Sequence, residues 1–266
     1  MTASFDPRPV AARFWERAGV TEPFPRRLAP TIAAILPVAV VLLPKLTVAR
    51  MAEWLARRGA GCLGQNPDRP LRGCLVAQTG HAFIFVDGSL PEDEQRLTLA
   101  HETAHFLHHY EGPRGAALAL LGPSIEPVLN GDRPATPGER LRGALRSVPL
   151  GIYEHTLERS DEGVPDPITV RLESEADLLG FELLAPSAVV ANSTRRGDGR
   201  RRVLAERFGL PEWAAQRWGS WLDARGGGDG FIMRLQAARK KSSSTTSNSG
   251  GSEGSTVQAL PRGRRT

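Results

Sequence analysis

The sequence predicts an α+β fold, mostly helical, with a small sheet packed on one central helix and a disordered C-terminal tail. Three observations lead there. Apolar residues recur at helical spacing in several stretches, two β-rich runs flank one turn signal, and residues 226–266 change composition abruptly. With 266 residues and 40% apolar content, the chain can bury one core of ordinary size and carry appendages.

Residues 10–60 read as helical pieces, with Met51, Trp54 and Leu55 on one helical face and a stop at Gly59–Gly61. The apolar run from Ile32 to Leu43 is broken by Pro37 and falls short of the roughly 20 residues that span a bilayer, so it reads as buried core and no membrane partner is expected. The runs Leu71–Ala77 and Ala82–Val86, joined through Gln78, Thr79 and Gly80, form a hairpin, the one clear sheet signal. A helix follows, opened by Pro91 and by Glu92, Asp93 and Glu94, whose charges suit the positive end of the helix dipole. It is expected to end near Tyr110, ahead of Gly112 and Pro113. Up to about residue 165 the pattern is irregular, although Thr136, Pro137 and Glu139 make a capping box that starts a helix over 137–148. A further helix begins near Pro167, carries the stripe Leu172, Ala176, Leu179 and Leu183, and is closed by Pro186. The expected organisation is an N-terminal extension (1–29), a main domain (30–192), a helical segment packed on it (193–225) and a disordered basic tail (226–266).

Charge follows this division. The pI is about 9.8, but residues 226–266 hold seven basic residues against Asp229 and Glu253, a surplus equal to the whole net charge of +5. The folded body is therefore neutral, which speaks against a nucleic-acid footprint there and leaves weak contact to the tail or to residues 195–202. The run Ser242–Ser255 of Ser, Thr, Gly and Asn has almost nothing to bury. No export signal opens the sequence, so a cytoplasmic location is expected. Cys62 and Cys74 are read as thiols in small core positions.

The chemistry concentrates in His101-Glu102-Thr103-Ala104-His105, inside the helix that begins near Pro91. Positions four apart lie on one helical face, so both imidazoles can reach a single ion. Glu102 is then placed to act as general base on a zinc-bound water. The surrounding Leu97, Leu99, Ala100, Ala104, Phe106 and Leu107 imply that the histidines are at least partly buried, and buried imidazoles need partners. A catalytic zinc site takes three protein ligands and keeps one open position. A continuation with glycine at 108 and histidine at 111, the metzincin pattern, is excluded by His108 and Glu111. The remaining source is the later helix, with Glu173 and Glu175. Glu173 shares a face with Asp177, whereas Glu175 is turned away and stacks with Glu182 on what reads as a solvated face. Glu173 is thus the expected third Zn2+ ligand, and Asp177 the acceptor for the second N–H of a ligating imidazole. His108 and His109 read as helix-end residues, and Tyr153 and His155 are candidate donors to the tetrahedral intermediate.

The segment from Arg96 to His109, with Thr-Leu-Ala-His-Glu-Thr-Ala-His at its centre, resembles the active-site helix of the ImmA/IrrE family of zinc metallo-endopeptidases. A second signature of that family is similar to Glu173, Ala176, Asp177 and Leu183-Leu184-Ala185-Pro186. The resemblance implies a zincin-like metallopeptidase domain, the ligands His101, His105 and Glu173, and a protein substrate, typically a repressor of the helix-turn-helix type. This chain departs at Thr103-Ala104, Leu179-Gly180 and Ala185, all packing positions, and in the long stretch between the two motifs. The competing class is a DNA-binding regulator, with the zinc site structural or vestigial. In residues 199–222, Leu204, Ala205, Phe208, Gly209, Leu210, Ala215 and Trp218 match helix-turn-helix positions, and Arg195, Arg196, Arg200, Arg201 and Arg202 lie beside them.

Overall fold

The computed structural model describes residues 5–19, 22–61, 67–141, 145, 148–158, 166–193 and 198–225. The chain divides into two compact units, Met1–Ser220 and Trp221–Thr266. In the second, the described residues 221–225 are helical and the Arg225 guanidinium lies 4.3 Å from the Trp221 ring centroid. The expected disordered tail falls outside the described residues.

The first unit has an α+β fold. Its elements run α1 (Arg8–Ala18), α2 (Leu28–Ile35), β1 (Val38–Leu43), α3 (Val48–Ala56), β2 (Leu71–Gln78), β3 (His81–Asp87), α4 (Glu92–His105), a π-helical segment Phe106–Glu111, α5 (Gly112–Leu121), a short 3₁₀ turn, α6 (Glu126–Leu129), α7 (Pro137–Leu141), β4 (Tyr153–Glu158), α8 (Pro167–Leu184), α9 (Ser187–Ser193) and α10 (Asp198–Glu206). Residues 212–220 close the unit as a further helical run. Among the described residues no helix is long and apolar enough to cross a membrane.

The four strands stand in the order β1-β3-β2-β4. β1 pairs parallel with β3, and β2 pairs antiparallel with both β3 and β4. β1 corrects the reading of residues 10–60 as helical only. Val38–Leu43 is an unbroken apolar run of the kind a parallel strand shows, and periodicity alone cannot tell such a run from a buried helix. The hairpin forms as expected: Gln78 pairs with His81, and Thr79 and Gly80 both have positive φ, 51° and 84°, as a two-residue type I′ turn requires. Both of its strands are interior to the sheet, however.

β2 carries a register shift between Leu71 and Gly73. One extra residue there inverts the alternation that follows. Leu71, Cys74, Val76 and Phe85 pack with Met51 and Leu55 of α3; Cys74 is fully buried, and Cys62 lies outside the described residues. Gly73 instead faces α4: a Cβ on it would lie 2.5 Å from Thr98 Cγ2 and 3.0 Å from Glu102 Oε1. Gly73→Ala should therefore force Thr98 and Glu102 to move. A destabilisation of about 1–3 kcal/mol, the usual range for overpacking, is expected in urea unfolding; full stability would mean that the β2–α4 spacing relaxes freely.

The helix that bears the motif does not stop before Gly112-Pro113 as the sequence suggested. It passes through the π segment into α5, with Gly112 N–H bonded to Leu107 O, five residues back. That wider register moves the preceding carbonyls from where a proline ring would strike them in an α-turn. α7 begins with the expected reciprocal cap, Thr136 N–H donating to Glu139 Oε2 at 2.7 Å and Glu139 N–H to Thr136 Oγ1 at 3.4 Å. α7 is described to Leu141. α8 is capped by Asp166, whose Oδ1 accepts from Ile168 and Thr169 N–H, and it crosses α4 closely. At the crossing Ala176 is fully buried, and a Cβ on Gly180 would meet His101 N at 3.3 Å. Two small residues one turn apart let the helix axes approach.

Candidate metal centre

α4 supplies His101, Glu102 and His105, all nearly or fully buried; α8 supplies Glu173 and Asp177; and β4 supplies Tyr153 and His155. β4 lies in the stretch that the sequence left irregular. It places Tyr153 opposite Ala77 and His155 opposite Leu75. Residues two apart on a strand share a face, so both point to the side on which Gly73 meets α4. The period-two string Tyr-Glu-His-Thr-Leu was the available signal, but alone it is too short to call.

His101 Nε2 and His105 Nε2 lie 3.1 Å apart. Glu173 Oε2 is 3.2 Å from the first and Glu173 Oε1 is 3.6 Å from the second. On a tetrahedron with bonds of ~2.0–2.1 Å, ligand atoms stand about 3.3 Å apart, so two imidazoles and one carboxylate fit a divalent cation. His155 joins this group. Its Nε2 is 2.9 Å from Glu173 Oε1, its Nδ1 is 2.9 Å from Glu102 Oε2, and its ring stacks on His105 with centroids 3.6 Å apart. Glu102 Oε1 is buried and has no partner. A buried carboxylate oxygen without a donor is costly, and it fits a site built for a water held beside an ion.

Outside this donor group, His101 Nδ1 donates to Asp177 Oδ1 at 3.0 Å, and Asp177 Oδ2 accepts from Arg217 Nη1 at 2.7 Å. Asp177 thus occupies the place expected of it, with Arg217 as an addition the sequence did not signal. Two expectations fail. Glu175 and Glu182 are not on a solvated face: Glu175 Oε2 lies 3.5 Å and 3.4 Å from His108 Nε2 and His109 Nε2, and buried Glu182 accepts from Ser187 N–H at the start of α9. Helical angles predict relative directions but not which directions other elements cover. His108 and His109 are likewise not helix-end residues, because the π segment carries the helix past them and buries His109.

Protonation follows the carboxylates. Burial opposes charge on His101, but Asp177, Glu173 and Glu102 outweigh it and raise the group to about 10. His155 behaves alike, raised to about 9 by Glu102 and Glu173 against its burial. Glu173 is held well below the carboxylate range because the three imidazoles overcome its desolvation. Burial, reinforced by the charge of His155, keeps His105 neutral. Burial first, then Glu102 and Glu173, push the Tyr153 phenol upward.

Two histidines one turn apart on a helix, a glutamate from a crossing helix and a buried glutamate beside them form a donor group that could hold a metal ion, in the arrangement that metallopeptidases use. Residues 68–120 match the model of the IrrE N-terminal-like domain, peptidase family M78, and this match supports the ImmA/IrrE resemblance carried by the two motifs. The matched stretch covers β2, β3, α4 and nearly all of α5, and ends before Glu173. No curated protein matches the chain.

Proposed function

We propose that the chain is a zinc-dependent endopeptidase acting on a protein, with a helix-turn-helix-type repressor as the expected substrate class. The carrying observation is Glu102 Oε1, buried and unpartnered beside a His-His-Glu donor set. His155 supplies a fourth donor that could close a structural site, but a structural site has no use for a second buried carboxylate. A bound zinc ion would supply Lewis acidity to the scissile carbonyl and draw the pKa of water towards ~7. His101, His105 and Glu173 would hold it. Glu102 takes a proton from the attacking water through Oε1 and delivers it to the leaving amine. His155, donating to Glu102 Oε2, holds that carboxylate in place and is the better placed of the two candidate donors to the developing oxyanion; Tyr153 Oη lies 3.5 Å from His105 Nδ1, outside the donor set.

Both hairpin strands are interior to the sheet, so neither can offer a free edge to an extended substrate. β4, at the sheet margin and bearing His155, takes that role in this reading. The regulator reading is weakened by packing. Leu204, Phe208, Leu210, Ala214, Ala215 and Trp218 are buried, Trp218 Nε1 donates to Ala185 O, and Arg96 Nη1 donates to Gly209 O. We assign this helical pair to the support of α4 and α8.

The test is digestion of a peptide library and of unfolded repressor proteins by the zinc-loaded full chain. Internal peptide-bond cleavage that chelation abolishes and stoichiometric zinc restores is expected. Tight zinc binding without cleavage of any library member would overturn the peptidase reading.

A further inference from the structure

Behind the centre, His105, His109 and Glu175 form a file that the proposed mechanism does not use. His105 directs Nε2 at Glu173, so its Nδ1 faces away, 3.0 Å from His109 Nδ1. His109 Nε2 in turn lies 3.4 Å from Glu175 Oε2. The π segment makes this possible. In an α-helix consecutive residues diverge by about 100°, yet here His108 and His109 both reach Glu175. π-turns of this kind concentrate at functional sites.

The three residues His108, His109 and Glu175 could also be read as a second cation site, since their donor atoms lie within 4.8 Å of one another. Counting protons separates the two readings. A His105 that offers its Nε2 lone pair to an ion carries its proton on Nδ1. The atom facing it, His109 Nδ1, must then accept, which puts the His109 proton on Nε2, towards Glu175. A second cation would need the Nε2 lone pair of His109, and the two rings would then present N–H to N–H across 3.0 Å.

We infer that Glu175 and His109 are positioning residues: Glu175 holds His109 as the Nε2–H tautomer, and His109 Nδ1 accepts from His105, which fixes the His105 Nε2 lone pair on the metal. Asp177 does the same for His101 directly. Each ligating histidine is thus oriented from behind by a carboxylate, one at first hand and one through an intervening imidazole. The assignment rests on the reading of His101, His105 and Glu173 as metal ligands.

The test uses the full chain and needs no substrate. Zinc affinity is measured by competition with a chromophoric chelator, stoichiometry by elemental analysis, and ligand geometry from the visible spectrum of the cobalt-substituted protein. His109→Leu should weaken zinc binding about 10- to 100-fold, the range for loss of an outer hydrogen-bond partner, and should shift the cobalt bands. His109→Gln, which restores an acceptor oxygen, should recover most of the affinity, and Glu175→Leu should lose part of it. A purely structural role would not distinguish Leu from Gln. Unchanged affinity and spectrum in both His109→Leu and Glu175→Leu would overturn the relay, as would a second zinc equivalent in the wild type that His108→Ala removes. If instead His101→Ala leaves zinc binding intact, the ligand assignment itself falls.

Discussion

Glu102→Gln is expected to leave zinc bound while lowering peptide hydrolysis by about 10²–10⁴-fold, the usual contribution of a positioned general base. Glutamine keeps the volume of the side chain and its amide oxygen can still accept, so the fit beside Gly73 and the contact with His155 are nearly preserved. What disappears is the ability to take a proton. Metal content and the folded state should therefore be those of the wild type, and the loss should fall on kcat rather than KM. Equal activity in the variant would remove Glu102 from the mechanism. Loss of metal together with activity would make it a ligand instead of a base.

Glu173→Ala should release the metal, with a loss of affinity larger than the ~10–100-fold attached to an outer partner, because a full ligand goes. Two imidazoles from α4 remain, and His155 is the nearest other donor. The metal-free protein should also feel the change, since Glu173 is the carboxylate that faces His101, His105 and His155 together. Without it three clustered imidazoles keep only Glu102 and Asp177 as counter-charges. The expected measurement is zinc per chain after gel filtration. Glu175→Ala should retain zinc under the same conditions and lose affinity only by the smaller outer-partner factor. Retention of a full equivalent by Glu173→Ala would show that His155 completes the donor set and that Glu173 serves only to balance charge.

His101, Glu102 and His105 were legible because a helix repeats, so that four residues of separation alone puts two side chains on one face. Glu173 and Asp177 were legible for the same reason, and the caps at Thr136 and Asp166 show the same local logic. β1 and β4 were not. An apolar hexapeptide and a six-residue alternation take their strand identity from partners far along the chain, β3 for one and β2 for the other. Glu175, Glu182 and His109 were misread because a helix wheel gives angles without saying which of them a neighbouring element will cover, and because a π-turn after the motif shifts every later angle.

By itself, then, the sequence determined the α+β class, the motif helix, the turn of the hairpin and the pair of helical faces that carry the candidate ligands, all of them properties set within about one helical turn or one hairpin. Only the tertiary structure decided that His155 joins the donor set, that Glu102 Oε1 is left without a partner, that Arg217 backs Asp177 and that a second file of groups stands behind His105. Each of these depends on the close crossing of α4 and α8 at Ala176 and Gly180 and on a one-residue register shift in β2. Most of these contacts join residues tens of positions apart, and the one local pair, His105 and His109, stands at the entry to a π segment that the helical pattern of the sequence did not signal.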